Sequence, residues 1–401
     1  MTIACADCGA LQIIPALARG AAASCHRCDR VLARQTWTRS DLTLATSATI
    51  LILLMPAIFM PLMDGTIKNL VFQQSRLVSS VPVIYSEVWF PFAFGFFFLA
   101  FLFPALRALF HVMVLGTLRF GWTLWQRGRM FRWSESLRVW SMTDVVVIAG
   151  IIAWLRARIP AEVIVRVGAW SYMAVAVLAF IGDYALDRRA VWNDILPDYR
   201  GYPDRHMPSC DSCEMIVEWR RSGDPCPRCG SRLDRNILPR FVPAMAALLA
   251  AVPLCVPAYS AAIMVNDQIT GVLEQTVLGT VQLLADRGYW QFGVVLLIAG
   301  VVIPATEIFG MSWLLYRVRF PRVKGLVRRT RTYRLLKRLV RWPMIIPFVA
   351  ALAAPIVKYH GIDDIVAGPG ATPLFIIIVL LMVSVRLYEP RMMWKAAGEA
   401  A

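Results

Sequence analysis

Apolar residues in this chain are gathered into long blocks separated by short polar stretches. The blocks run at about 42–63, 88–118, 139–159 and 163–186, and again at about 241–264, 289–316, 343–358 and 371–388. A helix needs about 20 residues to cross a hydrocarbon core. The pattern therefore predicts about eight transmembrane helices, four in each half. The blocks at 139–159 and 343–358 are the weakest, because the first ends in Arg156 and Arg158 and the second is short. Pro56, Pro61, Pro253 and Pro257 are expected to break the first span of each half, freeing backbone carbonyls.

Each set of four blocks follows a polar, cysteine-bearing stretch, and the two halves match elsewhere as well. Phe103-Pro104-Ala105 repeats as Ile303-Pro304-Ala305, and Trp140-Ser141-Met142 as Trp342-Pro343-Met344. Asp187-x-Arg189-x-x-Trp192 repeats as Glu389-x-Arg391-x-x-Trp394. With four spans per half, both halves start on the same side, so the duplication is parallel rather than inverted. The expected fold is an all-α polytopic membrane protein of two parallel four-helix repeats, each preceded by a small metal-binding ribbon. The boundaries read as ribbon 1 at 1–36, repeat 1 at 37–195, ribbon 2 at 205–236 and repeat 2 at 237–401.

Composition agrees: 58% of residues are hydrophobic, and the mean hydropathy is +0.58. The net charge of +16 suggests nucleic acid at first sight, but no base-stacking or groove-reading motif accompanies it. The charge lies instead in loops beside the apolar blocks. Segment 119–138 carries Arg119, Arg127, Arg129, Arg132 and Arg138 against Glu135 alone, and segment 317–341 holds eleven Arg or Lys and no acid. Loops 64–87 and 265–288 are balanced or acidic. Basic loops stay cytoplasmic, which puts both termini and both cysteine segments on the cytoplasmic side. The 317–341 run also reads as an amphipathic helix on the anionic leaflet, through Leu326, Tyr333, Leu336 and Leu339. The first apolar block lacks a small-residue cleavage site, so it reads as a span and not as a signal peptide.

The cysteines carry the clearest chemistry. Cys5-x-x-Cys8 pairs with Cys25-x-x-Cys28, and Cys210-x-x-Cys213 with Cys226-x-x-Cys229, across linkers of 16 and 12 residues. A Cys-x-x-Cys turn gives two soft ligands from one tight knuckle, and two knuckles complete a tetrahedral site. Gly9 and Gly230 directly follow a second cysteine, where a permissive backbone helps close the turn. Modules this small bury no real core, so a metal supplies their folding energy. Two structural zinc ions are expected; rubredoxin-like iron and a dithiol–disulfide pair are the competing readings. Four thiolates leave no open coordination position, so no catalysis at the metal is expected. Asp7, Asp211 and His26 lie nearby and are expected to be solvated. Cys255, alone in an apolar stretch, reads as a small hydrophobe.

Ionisable groups within spans suggest function by default, because burying them in a bilayer is costly. Arg107 and Glu307 each stand three residues after a matched proline, and opposite charges at equivalent places can meet across the symmetry axis. Asp144 enters the third span ahead of apolar Val145 to Ala149; Asp183 lies late in the fourth. Arg107, Asp144 and Glu307 are the candidate transport residues. No nucleophile constellation or nucleotide-binding loop appears, so no enzymatic activity is expected. Lipid transport, membrane redox or stress chemistry at the cysteines, and proton-coupled transport of a small solute all remain open on these residues.

The duplicated cysteine modules, the Trp140-Ser141-Met142 and Trp342-Pro343-Met344 starts, and the ends Asp187 to Trp192 and Tyr388 to Trp394 together resemble the paraquat-inducible protein A family over nearly the whole chain. The resemblance implies an inner-membrane protein of a double-membrane bacterium. Such a protein passes phospholipid or another lipid to or from a periplasmic tunnel partner built of mammalian-cell-entry (MCE) domains, and so maintains the outer membrane. It also implies zinc at both quartets. The chain departs from the family pattern at Ile345-Ile346-Pro347, where an acid is expected, and at Glu307, where a basic residue is expected.

Overall fold

The computed structural model describes residues 2–15, 17–18, 20–34, 40–67, 70–78, 90–122, 126–157, 162–197, 209–217, 223–233, 240–268, 271–286, 288–349, 352 and 363–398. In the first half, α1 (Ser40–Phe59) leads to strands β5 (Pro61–Ile67) and β6 (Leu70–Arg76), numbered after the four short strands of ribbon 1. Helix α2 (Phe90–Phe96) passes through a π-helical stretch, Phe97–Leu102, into α3 (Phe103–Phe120). Then come α4 (Arg127–Leu137), α5 (Thr143–Ala157), strand β7 (Glu162–Val165), α6 (Val167–Ala185) and α7 (Arg188–Ile195). The second half repeats this order: α8 (Phe241–Ser260), β8 (Met264–Gln268), β9 (Gly271–Gln275), α9 (Val277–Asp286), α10 (Trp290–Leu297), a π stretch at Ile298–Val302, and α11 (Ile303–Arg319). It closes with α12 (Leu326–Leu339), a 3-10 turn at Trp342–Met344, β10 (Asp363–Ala367), α13 (Ala371–Leu387) and α14 (Arg391–Ala396).

Among the described residues, five helical stretches are long and apolar enough to cross a membrane: α1, α6, α8, and the continuous runs Ala93–Phe120 and Trp290–Arg319. Helices α5 and α13 match two further blocks but are shorter, with 15 and 17 residues. A 15-residue helix is about 22 Å long, short of a full hydrocarbon core. Half of the block expected at 343–358 lies outside the described residues; a helical turn is seen over 345–349. Helices α1 and α8 continue through Pro56, Pro253 and Pro257, so these prolines do not end the first spans as expected.

The fold is not purely helical. The described parts of the acidic or balanced loops include strands, which join β7 and β10 in antiparallel sheets ordered β6-β5-β7 and β10-β8-β9. Strand β5 pairs with β7 (Met63 opposite Val165), and β8 with β10 (Met264 opposite Ala367). Each sheet ties the end of a half's first span to the link between its third and fourth spans. Arg166 locks one of them, its Nε donating to the buried Asp64 Oδ2 at 2.6 Å. These strands are short, and β8 and β10 carry Asn266, Asp267, Asp363 and Asp364, so hydrophobic alternation did not reveal them.

The matched prolines have a structural consequence. Proline cannot donate to the carbonyl four residues back and clashes with it, and in both halves a π-helical stretch precedes the proline. The carbonyls four residues back, which each proline cannot serve, are those of Ala100 and Gly300. Tyr172 Oη, from α6, donates to Ala100 O at 2.9 Å, and Tyr259 Oη, from α8, donates to Gly300 O at 2.5 Å. The same vacancy is filled from the fourth span in one half and from the first span in the other.

Helix α12 turns most of its apolar stripe toward protein. Leu326, Tyr333 and Leu336, expected to face the leaflet, are within 5% exposure in the protein core, and the Tyr333 hydroxyl donates to the Tyr388 carbonyl at 3.0 Å. The apolar stripe was real, but it packs on protein.

Candidate functional site

The four cysteine knuckles fold alike. Strands β1 (Thr2–Ala4) and β2 (Leu11–Ile13) flank the first, and β3 (Ala22–Ser24) and β4 (Val31–Arg34) flank the second. In each knuckle the residue after the second cysteine returns its N–H to the first cysteine's carbonyl: Gly9 to Cys5, Asp29 to Cys25, Glu214 to Cys210 and Gly230 to Cys226, all at 2.8–2.9 Å. That closure needs a left-handed backbone, and φ is +76° at Gly9, +58° at Asp29, +59° at Glu214 and +64° at Gly230. Glycine marks only two of the four turns.

The knuckles meet in pairs. Cys5 and Cys28 sulfurs are 3.5 Å apart and Cys8 and Cys25 3.6 Å apart; Cys210–Cys229 and Cys213–Cys226 repeat these values. In each quartet the four sulfurs are buried and lie within 4.8 Å of one another. Four thiolates at about 2.3 Å from a tetrahedral zinc sit about 3.8 Å apart, so both quartets fit a four-coordinate metal. Hydrogen bonds from Cys28 and Cys8 draw Cys5 below the ordinary thiol range, while those to Cys28 and Cys5 push Cys8 above it. Outer donors complete each site: Gln12 Nε2 to Cys25 Sγ at 2.8 Å, Arg334 Nη2 to Cys28 Sγ at 3.3 Å, and the Ser231 hydroxyl 3.0 Å from Cys210 Sγ.

Asp7 and Asp211 are not solvated, contrary to expectation. Asp7, 5% exposed, accepts from Arg30 at 2.5 Å and Arg334 at 2.7 Å. Asp211 pairs with Arg391 at 3.0 Å and Arg240 at 3.5 Å. His26 is exposed, as expected.

The intramembrane charges also differ from the symmetric pairing anticipated. Arg107 does not meet Glu307; both its Nη atoms bond the carboxylate of Asp183 within its own half. The pair lines a cleft with Thr46 and Ser47 of α1, His111 one turn along α3, and Ser141 and Thr143 at the start of α5. Arg107 and His111 are 7% and 5% exposed, and among the described residues Arg107 Nε and His111 Nε2 have no hydrogen-bond partner. The cleft offers about 20 Å³ to solvent, room for a water molecule and far too little for a lipid. His111, Thr46 and Ser47 escaped the sequence reading, although the spacing of Arg107 and His111 places them on one helix face.

Glu307 holds the equivalent place in the second half and is wholly buried; among the described residues neither carboxylate oxygen has a hydrogen-bond partner. Asp144 is 40% exposed at its side chain and pairs with Arg341 of the other half at 2.8 Å. It sits at an edge between the halves rather than in a core.

The family model for paraquat-inducible protein A matches residues 41–195 and 243–398, one region per half. The chain is 24% identical to the intermembrane transport protein PqiA of Escherichia coli (strain K12), over 99% of this chain and 96% of that one. It is 26% identical to the lipophilic envelope-spanning tunnel protein A of the same strain, over 65% of this chain and 61% of that one. A probable intermembrane transport protein of Haemophilus influenzae is 24% identical over 65% and 64%. No solved structure matches significantly.

Proposed function

We propose that this chain, which belongs to the paraquat-inducible protein A family, is the inner-membrane component of an intermembrane lipid transport system in a double-membrane bacterium. The observation that carries this reading is the end-to-end similarity to a protein named for intermembrane transport. The partner is a periplasmic tunnel of MCE domains, and the cargo is phospholipid or another lipid. Eight crossings in two parallel repeats (37–195 and 237–401) place both termini and both ribbons (1–36 and 205–236) in the cytoplasm. Support comes from the basic helices α4 and α12, which lie on the ribbon side, and from the acidic sheet segments at the opposite helix ends.

Each ribbon holds one structural zinc, through Cys5, Cys8, Cys25 and Cys28 or through Cys210, Cys213, Cys226 and Cys229. The metal supplies folding energy and takes no part in transfer. In the membrane, the Arg107–Asp183 pair presents both charges to a hydroxyl-lined cleft, complementary to a polar headgroup, while the wholly buried Glu307 is a carboxyl suited to carrying a proton. Asp144, paired with Arg341, links the halves as they move. The cleft is closed to a lipid here, so passage requires α1, α3 and α6 to separate.

Affinity purification from native membranes, followed by lipid mass spectrometry and metal analysis, tests the reading. Colourless protein with about two zinc per chain, phospholipid and an MCE-domain protein is the expected product. Iron absorbance, or a preparation carrying neither lipid nor tunnel partner, would overturn it.

A further inference from the structure

Each ribbon precedes one set of helices in the chain yet takes anchors from the other set, although Asp211 of ribbon 2 also pairs with Arg240 and Arg391 of the half it precedes. Ribbon 1 stands ahead of repeat 1, but its described polar anchors come from α12 and α14 at the far end. Arg334 donates from Nε to Asp7 at 2.7 Å and from Nη2 to the Cys28 carbonyl at 2.9 Å. Arg331 pairs with Asp29 at 2.5 Å, and the Arg27 guanidinium lies 4.5 Å over the Trp394 ring. Ribbon 2 stands ahead of repeat 2, but its cysteines pack in one cluster with Phe131 of α4, Leu186, and Val191 and Trp192 of α7. The fit is close: a Cβ on Gly128 would collide with the Arg228 carbonyl oxygen.

The two ribbons also bind each other. Arg30 of ribbon 1 reaches Glu214 of ribbon 2 at 2.9 Å while holding Asp7. Arg391, its side chain 8% exposed, donates from Nε to the Ala6 carbonyl of ribbon 1 at 2.9 Å and from Nη1 to Asp211 of ribbon 2 at 3.0 Å. Ala6 and Asp7 lie between Cys5 and Cys8, Asp211 lies between Cys210 and Cys213, and Asp29 and Glu214 follow their knuckles directly. Nearly every anchor is thus part of a turn whose shape depends on four cysteines being drawn together.

We propose that the two ribbons form one metal-dependent clasp that holds the two helical repeats together crosswise, with Arg391 as its positioning residue. The proposal rests on the metal reading of the quartets and is independent of what is transported. Metal loss from ribbon 1 releases α12 of repeat 2, and metal loss from ribbon 2 releases α4 and α7 of repeat 1, while α14, held by both ribbons through Arg391, loosens in either case. A ribbon serving its own half would show the reverse.

The test uses the full chain in detergent, with zinc content and amide hydrogen exchange measured on the same samples. Cys25→Ser should reduce zinc from about two per chain to one and speed exchange about tenfold or more in residues 326–339 and 391–396. Residues 127–137 and 188–195 should stay protected. Cys226→Ser should instead speed exchange in residues 127–137 and 188–195 while residues 326–339 stay protected; residues 391–396, tied to both ribbons through Arg391, do not discriminate. Faster exchange confined to the ribbon's own half, or none, overturns the proposal. Arg391→Lys keeps the charge but not the two-way reach; it should retain both metals while exchange in both cysteine knuckles rises about threefold or more. Unchanged protection there also overturns it. Should either cysteine variant fail to fold, stepwise chelation of the wild-type chain gives the same readout: both helix sets lose protection in step with metal release, or the clasp is refuted. Wild-type protein lacking metal would instead defeat the metal reading itself, which the zinc measurement reports separately.

Discussion

Tyr172 donates its hydroxyl proton to the carbonyl oxygen of Ala100, which Pro104, four residues on, has no N–H to serve, at 2.9 Å. Tyr259 does the same for Gly300 ahead of Pro304. An unsatisfied carbonyl within a bilayer is costly, while a single membrane hydrogen bond contributes about 1 kcal/mol. Tyr172→Phe and Tyr259→Phe should each lower stability by about 1–2 kcal/mol in a denaturant titration. Adding Pro104→Ala should remove most of the Tyr172→Phe loss, because residue 104 then supplies the missing N–H.

Arg107 and Asp183 form a partly buried pair, so removing one leaves a charge stranded. Arg107→Ala should cost about 3 kcal/mol, and Arg107→Ala with Asp183→Ala clearly less than the sum of the single losses. Glu307 behaves in the opposite way. With no hydrogen-bond partner among the described residues, Glu307→Gln should be neutral or stabilising in the same unfolding assay. If Glu307 carries a proton, the same variant should abolish lipid transfer in reconstituted vesicles while leaving the fold intact.

The Asp144–Arg341 pair is 2.8 Å long but over a third exposed on both sides. Pairs of this kind contribute about 0–1 kcal/mol. Asp144→Asn should therefore shift stability by less than about 1 kcal/mol, a result that thermal unfolding can check, whatever it does to transfer.

Gly128 and Gly116 give a matched contrast on the basic side. A Cβ at Gly116 meets nothing, whereas one at Gly128 meets the ribbon 2 backbone. Both sit in helices, where alanine is the better helix former by about 1 kcal/mol. Gly116→Ala should be neutral or stabilising. Gly128→Ala should displace ribbon 2 and expose its cysteines to a thiol reagent after brief chelation.

What could be read from the sequence depended on range. The cysteine quartets were legible because ligand spacing is local, and the repeat because Pro104 and Pro304, or Trp192 and Trp394, recur in register. The partners of Asp7 were not, since Arg334 lies over 300 residues away and nothing in a Cys-x-x-Cys turn announces it. The symmetric placement of Arg107 and Glu307 suggested a pair, yet helix packing brought Asp183 to Arg107 first. The sheets escaped because β8 and β10 carry acids where a half-buried strand usually carries apolar residues. The stripe on α12 was found, but periodicity alone does not distinguish a protein face from a lipid face.

The seating of ribbon 1 has a bearing on biosynthesis. Its anchors include Trp394 and Arg391, the latter 385 residues further along the chain than its partner Ala6. Residues 2–34 thus lack part of their docking site until that distant segment has been synthesised, and a chain cut before Arg391 would keep the Arg331 and Arg334 anchors and lose these two.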